Sequence, residues 1–237
     1  MRLIATLYVL LLSACVNSNI LSKHPIPHRA DSSSINQLAK ADFDRMADME
    51  LEGNTQSLRT LMIKLYKRNP HELAKSNHDS TEKMVAYVFD ESTKHQWQFK
   101  QLQNKQDTEA IFLAFDANYQ GDRVLAFIAG LQTMLAKAHN NKTAFYLTDN
   151  LDPQKIYNVA RNIEIAAWKL SNSRDVNGNL YLLTNEISDT DRNLSFEREF
   201  GKMIGRTDFY AISLAEKSQR LISRIAQSLA SAVFLPF

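Results

Sequence analysis

The chain has 237 residues, 44% hydrophobic and 23% charged, which is enough for one medium domain or two small ones and too apolar for extensive disorder. Six glycines and five prolines are few for a turn-rich all-β or collagen-like protein and point to long helices. The formal charge of +2 leaves no basic surplus for nucleic acid, and the single cysteine, Cys15, excludes an internal disulfide.

Met1-Arg2 is a short positive start, and Leu3 to Leu12 is apolar except for Thr6. Ten helical residues span about 15 Å, about half a bilayer core, so this stretch is a signal-peptide core rather than a membrane span. Leu12-Ser13-Ala14-Cys15 follows: an apolar position, two small residues that let a peptidase close on the backbone, and a thiol that can take lipid. These first 15 residues resemble bacterial lipoprotein precursors. The resemblance implies that Cys15 is diacylglycerated on sulfur, that residues 1–14 are removed, and that the new amine is acylated. Several acyl chains hold a protein stably at a membrane, where one holds it only marginally. Cleavage removes Arg2 alone among the charged residues, leaving 27 basic against 26 acidic. Val16 stands where the lipoprotein class would carry an aspartate for inner-membrane retention. That points to the outer membrane, with the domain facing the periplasm.

Residues 15–34 read as the acylated cysteine and its tether. Pro25 and Pro27 stiffen the stretch, the serines keep it polar, and the prolines deny His24 and His28 a shared helical face for a metal. Residues 35–237 form the expected helical domain. Ile35, Ala39, Phe43 and Met46, then Leu58, Leu61, Met62, Leu65 and Tyr66, keep a helical phase. Gly53-Asn54 either ends one helix and starts another or sits in a continuous helix at a close backbone contact.

Asn69-Pro70-His71-Glu72 reads as a new helix start, with Asn69 as N-cap, Pro70 at the first position and Glu72 reaching back. A zinc-protease reading of His71-Glu72 fails because Lys75 stands where the second histidine belongs. Thr81 to Asp90 carries Met84, Val85, Val88 and Phe89 at helical spacing. Trp97, Phe99 and Leu102 lie in a Gln-rich, poorly periodic stretch. It reads as a loop with aromatics anchored in the core, and a binding patch is the sharper alternative.

Thr108 to Tyr119 and Asp122 to His139 read as two helices broken by Gln120-Gly121. Between Leu125 and Ala138 only Gln132, Thr133 and Lys137 are polar, so the second helix is surrounded by others. Asp152-Pro153 opens a well-signalled helix, with Leu151 placed to staple onto Ile156 and a buried stripe of Ile156, Val159, Ala160, Ile163, Ala167 and Leu170. A second strip holds Tyr157, Arg161, Glu164 and Trp168. Arg161 and Glu164 form either the base of a ligand pocket or an ion pair locking two helices.

Asp175, Asn177, Asn179 and Glu186 stand at positions 1, 3, 5 and 12 of a calcium-loop spacing, but Leu180 takes the position where the loop needs glycine. The alternative is an Asn-Gly turn leading into a short extended segment, Leu180 to Thr184. Ser195 to Ile204 and Thr207 to Ala232 read as two further helices. Phe196, Phe200 and Ile204 line the first, and Leu214, Leu221, Ile225 and Leu229 line the second. The Gly201 and Gly205 spacing points to close helix packing. The apolar tail Val233 to Phe237 either covers the domain's end or docks on a partner.

The expected fold is therefore all-α, an irregular multi-helix bundle with a short extended segment near 180–184. Lys64 to Pro70 and Ala160 to Glu164 are similar to stretches of uncharacterised Gram-negative lipoproteins, a resemblance that implies no activity. With no nucleophile, metal cluster or cofactor motif, the leading expectation is a non-enzymatic envelope lipoprotein that binds or assembles another envelope protein. The alternatives are an envelope hydrolase with a pocket around Arg161 and Glu164, and a calcium-stabilised binding module.

Overall fold

The computed structural model describes residues 42–76, 78–142, 144–145, 151–187, 192–218, 222 and 233–237, all within the unit formed by residues 40–237. Cys15, the tether, Ile35 and Ala39, and later Leu221, Ile225 and Leu229, lie outside the described residues.

Helix α1 runs unbroken from Asp42 to Arg68. It passes through Gly53 because Arg206 lies across the backbone there: a Cβ would stand 2.9 Å from Arg206 Nη1. The guanidinium donates to Asn54 Oδ1 and Ser57 Oγ, both at 2.7 Å. A glycine inside a helix costs about 1 kcal/mol, which such contacts offset.

The short helix α2, Pro70–Leu73, starts at its proline as expected, but without the expected cap. Asn69 instead turns its side chain onto Leu183, accepting from the backbone N–H at 2.7 Å and donating to the carbonyl at 2.9 Å. Glu72 is buried and accepts from the Arg123 backbone N–H at 2.7 Å, so its carboxylate serves the start of a different helix. Helix α3, Thr81–Asp90, is capped by Ser80; α4, Ser92–His95, and a 3-10 turn, Lys100–Leu102, follow it.

Helix α5, Asp107–Leu113, stops six residues short of Tyr119. The reason is Arg123, buried and unforeseen, whose guanidinium takes the carbonyls of Ala114, Asp116 and Tyr119 at 2.7–2.9 Å. Five fixed donors satisfy carbonyls that a helix would otherwise pair. Asp122 caps α6, Arg123–Ala138, by accepting from Leu125 N–H at 3.0 Å, and residues 123–135 of this helix are all buried. It is the central helix.

Asp152 accepts from Gln154 N–H at 3.0 Å and opens α7, Pro153–Asn172; Leu151, Ile156 and the whole expected stripe are buried. Among the described residues, extended pairing is confined to a bridge between Arg174 and Leu180 and a two-residue antiparallel ladder, β1 Glu186–Ile187 with β2 Arg192–Asn193. Leu182 and Thr184 are buried along the stretch expected to be extended.

Helix α8 is continuous from Ser195 to Ser218, so the expected break before Thr207 does not occur. Gly201 and Gly205 are exposed, with nothing within 4 Å of a Cβ, and mark no close packing. Helix propensity loses there to tertiary burial of Phe196, Phe200, Met203, Tyr210 and Leu214. α7 packs along α8 and α5 along α6, while α1 meets α3, α6 and α8. The architecture is an all-α multi-helix bundle. Among the described residues, no helix is long and apolar enough to cross a membrane.

Candidate functional site

α1, the loop after α4, the start of α5 and α6 enclose a half-open cavity of about 1070 Å³, at the upper end of the range of small-molecule pockets. α1 contributes Asp48, Met49, Glu52 and Thr55; α6 contributes Gln132, Thr133, Ala136 and Lys137. Between them stand Gln96, Trp97 and Gln98 of the loop, with Gln106 and Asp107 at the start of α5.

The loop is held in a conformation that ordinary residues avoid. Gln96 and Trp97 have φ of 49° and 59°, in the left-handed region. His95 pins them: its Nδ1 accepts from Trp97 N–H at 2.9 Å, while Nε2 donates towards the carbonyls of Tyr87 and Val88 at 3.2 Å. These partners fix the Nε2–H tautomer. From the other side, Gln106 Nε2 donates to the Gln96 and Trp97 carbonyls. Asp107 and Asn141, two more cavity residues, also have φ of 45° and 56°. Left-handed backbone costs of order 1–3 kcal/mol per residue and concentrates where a site needs it.

The start of α5 is fixed against α6 by a close approach. A Cβ on Gly130 would lie 2.7 Å from the Asp107 carbonyl and 2.7 Å from Ile111 Cγ1. Thr133 Oγ1 accepts from Asp107 N–H at 2.6 Å and donates to the Ala129 carbonyl at 2.7 Å. Lys137 Nζ meets Asp107 Oδ2 at 2.8 Å, so these two cavity charges neutralise each other.

Trp97 is half-buried. Phe89, His95 and Phe99 meet its indole edge-to-face at centroid distances of 5.6, 5.7 and 6.4 Å, and none of the three lies parallel to it. Gln132 is buried in the wall, and its Oε1 has no hydrogen-bond partner. The described lining holds no histidine or cysteine, and Thr133, the hydroxyl on α6, is committed to a backbone carbonyl. Thr55 and Ser92 add two further hydroxyls to the lining, and Asp48 and Glu52 add two carboxylates.

The expected pocket residues lie elsewhere. Arg161 Nη1 meets Glu164 Oε1 at 2.9 Å, and Nη2 bonds Asp208 of α8. The guanidinium also sits 5.1 Å from the Tyr157 ring centre. Burial pushes the Glu164 carboxyl above its ordinary value against the pull of Arg161, and Asp208 adds to the rise. This is an ion-pair lock between α7 and α8. Neither these residues nor Trp168 lines the cavity.

Asp175, Asn177 and Asn179 form the turn. The Asp175 carboxylate accepts from Asn177 and Asn179 backbone N–H at 2.8 and 2.9 Å, which holds its carboxyl below the ordinary value. Gly178 supplies the left-handed position at φ 84°. Glu186 pairs with Arg68 at 3.1 Å instead of turning to this loop. Among the described residues, no group of three or more His, Cys, Asp or Glu could hold a metal ion.

The sequence carried two signals for the cavity: the Gln-rich, aperiodic stretch around Trp97, and the three polar residues Gln132, Thr133 and Lys137 on the apolar helix α6. Phe99 and Leu102 are buried anchors, whereas Trp97 reaches the cavity. Asp48, Glu52 and Asp107 carried no such signal, because nothing local marks a helical carboxylate as facing a cavity. No family model, curated protein or solved structure matches this chain.

Proposed function

We propose that this chain is a lipid-anchored protein of the cell envelope that binds another envelope component without transforming it. The anchor half rests on Leu12-Ser13-Ala14-Cys15 at the end of a short apolar leader. The binding half rests on one observation: a cavity walled by Trp97 and the unpaired Gln132 amide oxygen, in which Asp107 and Lys137 pair with each other. Such a wall offers orientation and contact.

A photocrosslinking amino acid introduced at Gln98, an exposed residue of the cavity lip, tests this in cells. The proposal expects a reproducible adduct with an envelope component that is absent when the crosslinker is placed at exposed Lys155 on α7. No adduct at Gln98, or the same adducts at both positions, would count against it.

A further inference from the structure

We infer that the cavity beside Trp97 is a seat for a neutral oligosaccharide, with one sugar ring against the indole and its hydroxyls or acetamides on the surrounding amides. The inference deepens the binding proposal and rests on it, since an envelope location places the cavity among glycans.

Charge comes first. The lining carries Asp48, Glu52 and Asp107 against Lys137 and Lys142, close to balance, and Asp107 pairs with Lys137 at 2.8 Å, so a charged ligand gains little net attraction. A neutral ligand leaves the pair intact. Next is the density of groups that both donate and accept: Gln96, Gln98, Gln132 and Asn141 all present amides to the cavity. Sugar hydroxyls also donate and accept, so a polyol matches such a wall at many points at once. The hydrocarbon face of a pyranose is flat and suits an aromatic ring, and no neighbouring ring stacks on Trp97.

Gln132 supplies the specific complement. Its amide oxygen is buried and unpaired, so turning it towards a ligand sacrifices no existing bond at that atom. A hydroxyl or acetamide N–H would give it the donor it lacks. A peptide fits less well: strand addition needs a sheet edge, which the described lining lacks, and helix capture needs an apolar groove, whereas 13 of the 18 lining residues are polar or charged. The volume of about 1070 Å³ accommodates several sugar rings.

Chitotetraose, a neutral N-acetylated tetrasaccharide, is the probe. The full chain is purified in detergent with Trp168→Phe, so that Trp97 is the sole indole, and is titrated by fluorescence and calorimetry. The expected result is a saturable shift in Trp97 emission with matching heat. Gln132→Leu weakens binding about tenfold or more. Gln98→Ala, an exposed substitution that leaves the core intact, weakens it about threefold. No saturable binding at millimolar chitotetraose, binding unchanged in both variants, or saturable binding of a neutral tetrapeptide in its place would overturn the inference. A Cys15→Ala chain binds equally well, because the seat is independent of the anchor. Loss of sugar binding with Gln98 adducts retained thus defeats this inference alone; absence of lipid on Cys15 with sugar binding retained defeats the envelope assignment alone.

Discussion

Asn162 holds Leu235 by both of its backbone groups: Oδ1 accepts from the N–H at 2.6 Å, and Nδ2 donates to the carbonyl at 2.8 Å. Asn158, one turn away, donates to the Pro236 carbonyl at 2.7 Å, and Phe234 meets Phe112 edge-on at 5.1 Å. The apolar tail is thereby bound to the chain's own α7. Removing the Asn162 amide leaves two backbone groups without partners, so Asn162→Ala should lower stability by about 2 kcal/mol. Deleting residues 233–237 should cost at least as much, and combining the two changes should cost little beyond the deletion. Urea unfolding of the three variants checks this; fully additive losses would show that the amide and the tail act separately.

A buried charge pair makes stability depend on pH. His139 Nε2 stands 3.0 Å from Glu50 Oε2, Nδ1 donates to the Leu135 carbonyl at 2.8 Å, and both side chains are almost wholly buried. Tyr210 of α8 lies parallel to the imidazole, and Thr207 donates to Glu50 Oε1. Burial alone would lower the histidine, but the Glu50 carboxylate outweighs it and holds the group above its ordinary 6.5. The folded chain therefore binds this proton more tightly than the unfolded chain. The resulting stabilisation is complete below 6.5 and is lost as pH rises through the higher folded value. Asp122, pushed up to about 6 from 3.8 by burial, gives a separate loss in that lower window. Urea midpoints should fall as pH rises above 6.5, and His139→Gln should remove that slope. A midpoint that stays flat or rises in the unmodified chain would contradict the pairing.

Two glycines should respond to alanine with opposite signs. At Gly130 a methyl would press on the Asp107 carbonyl and on Ile111, where α5 lies against α6. Overpacking of this kind costs about 1–3 kcal/mol. At Gly201 nothing lies within 4 Å and the residue is exposed mid-helix, so Gly201→Ala should gain about 0.5–1 kcal/mol. Thermal unfolding reads both, and equal signs would place the packing elsewhere.

The contrast between these glycines also explains what the sequence could disclose. Helices with local signals were legible: Asp152-Pro153 fixed the start of α7, α6 begins after Asp122, and Leu58, Leu61, Met62, Leu65 and Tyr66 of α1 and the stripe of α7 are buried as their spacing requires. Long-range contacts carried no local signal. Gly53 lies in a continuous helix because Arg206, over 150 positions away, crosses it, and α5 ends early because Arg123 takes its carbonyls. Nothing local marks Arg123, Glu50 and His139 as buried, yet all three are, since each found partners on another element. The cavity draws a few residues from each of four separate stretches, and of these Trp97, Gln132, Thr133 and Lys137 stood out from their surroundings.

The proposed lipid anchor at Cys15 is tested most directly at the N-terminus of the purified chain. Mass spectrometry of the purified chain, after proteolysis in detergent, reads that end. The prediction is a first peptide that begins at Cys15 and carries a thioether-linked diacylglycerol and an N-acyl chain. A chain that retains Met1, or that begins at any residue without lipid, would contradict it.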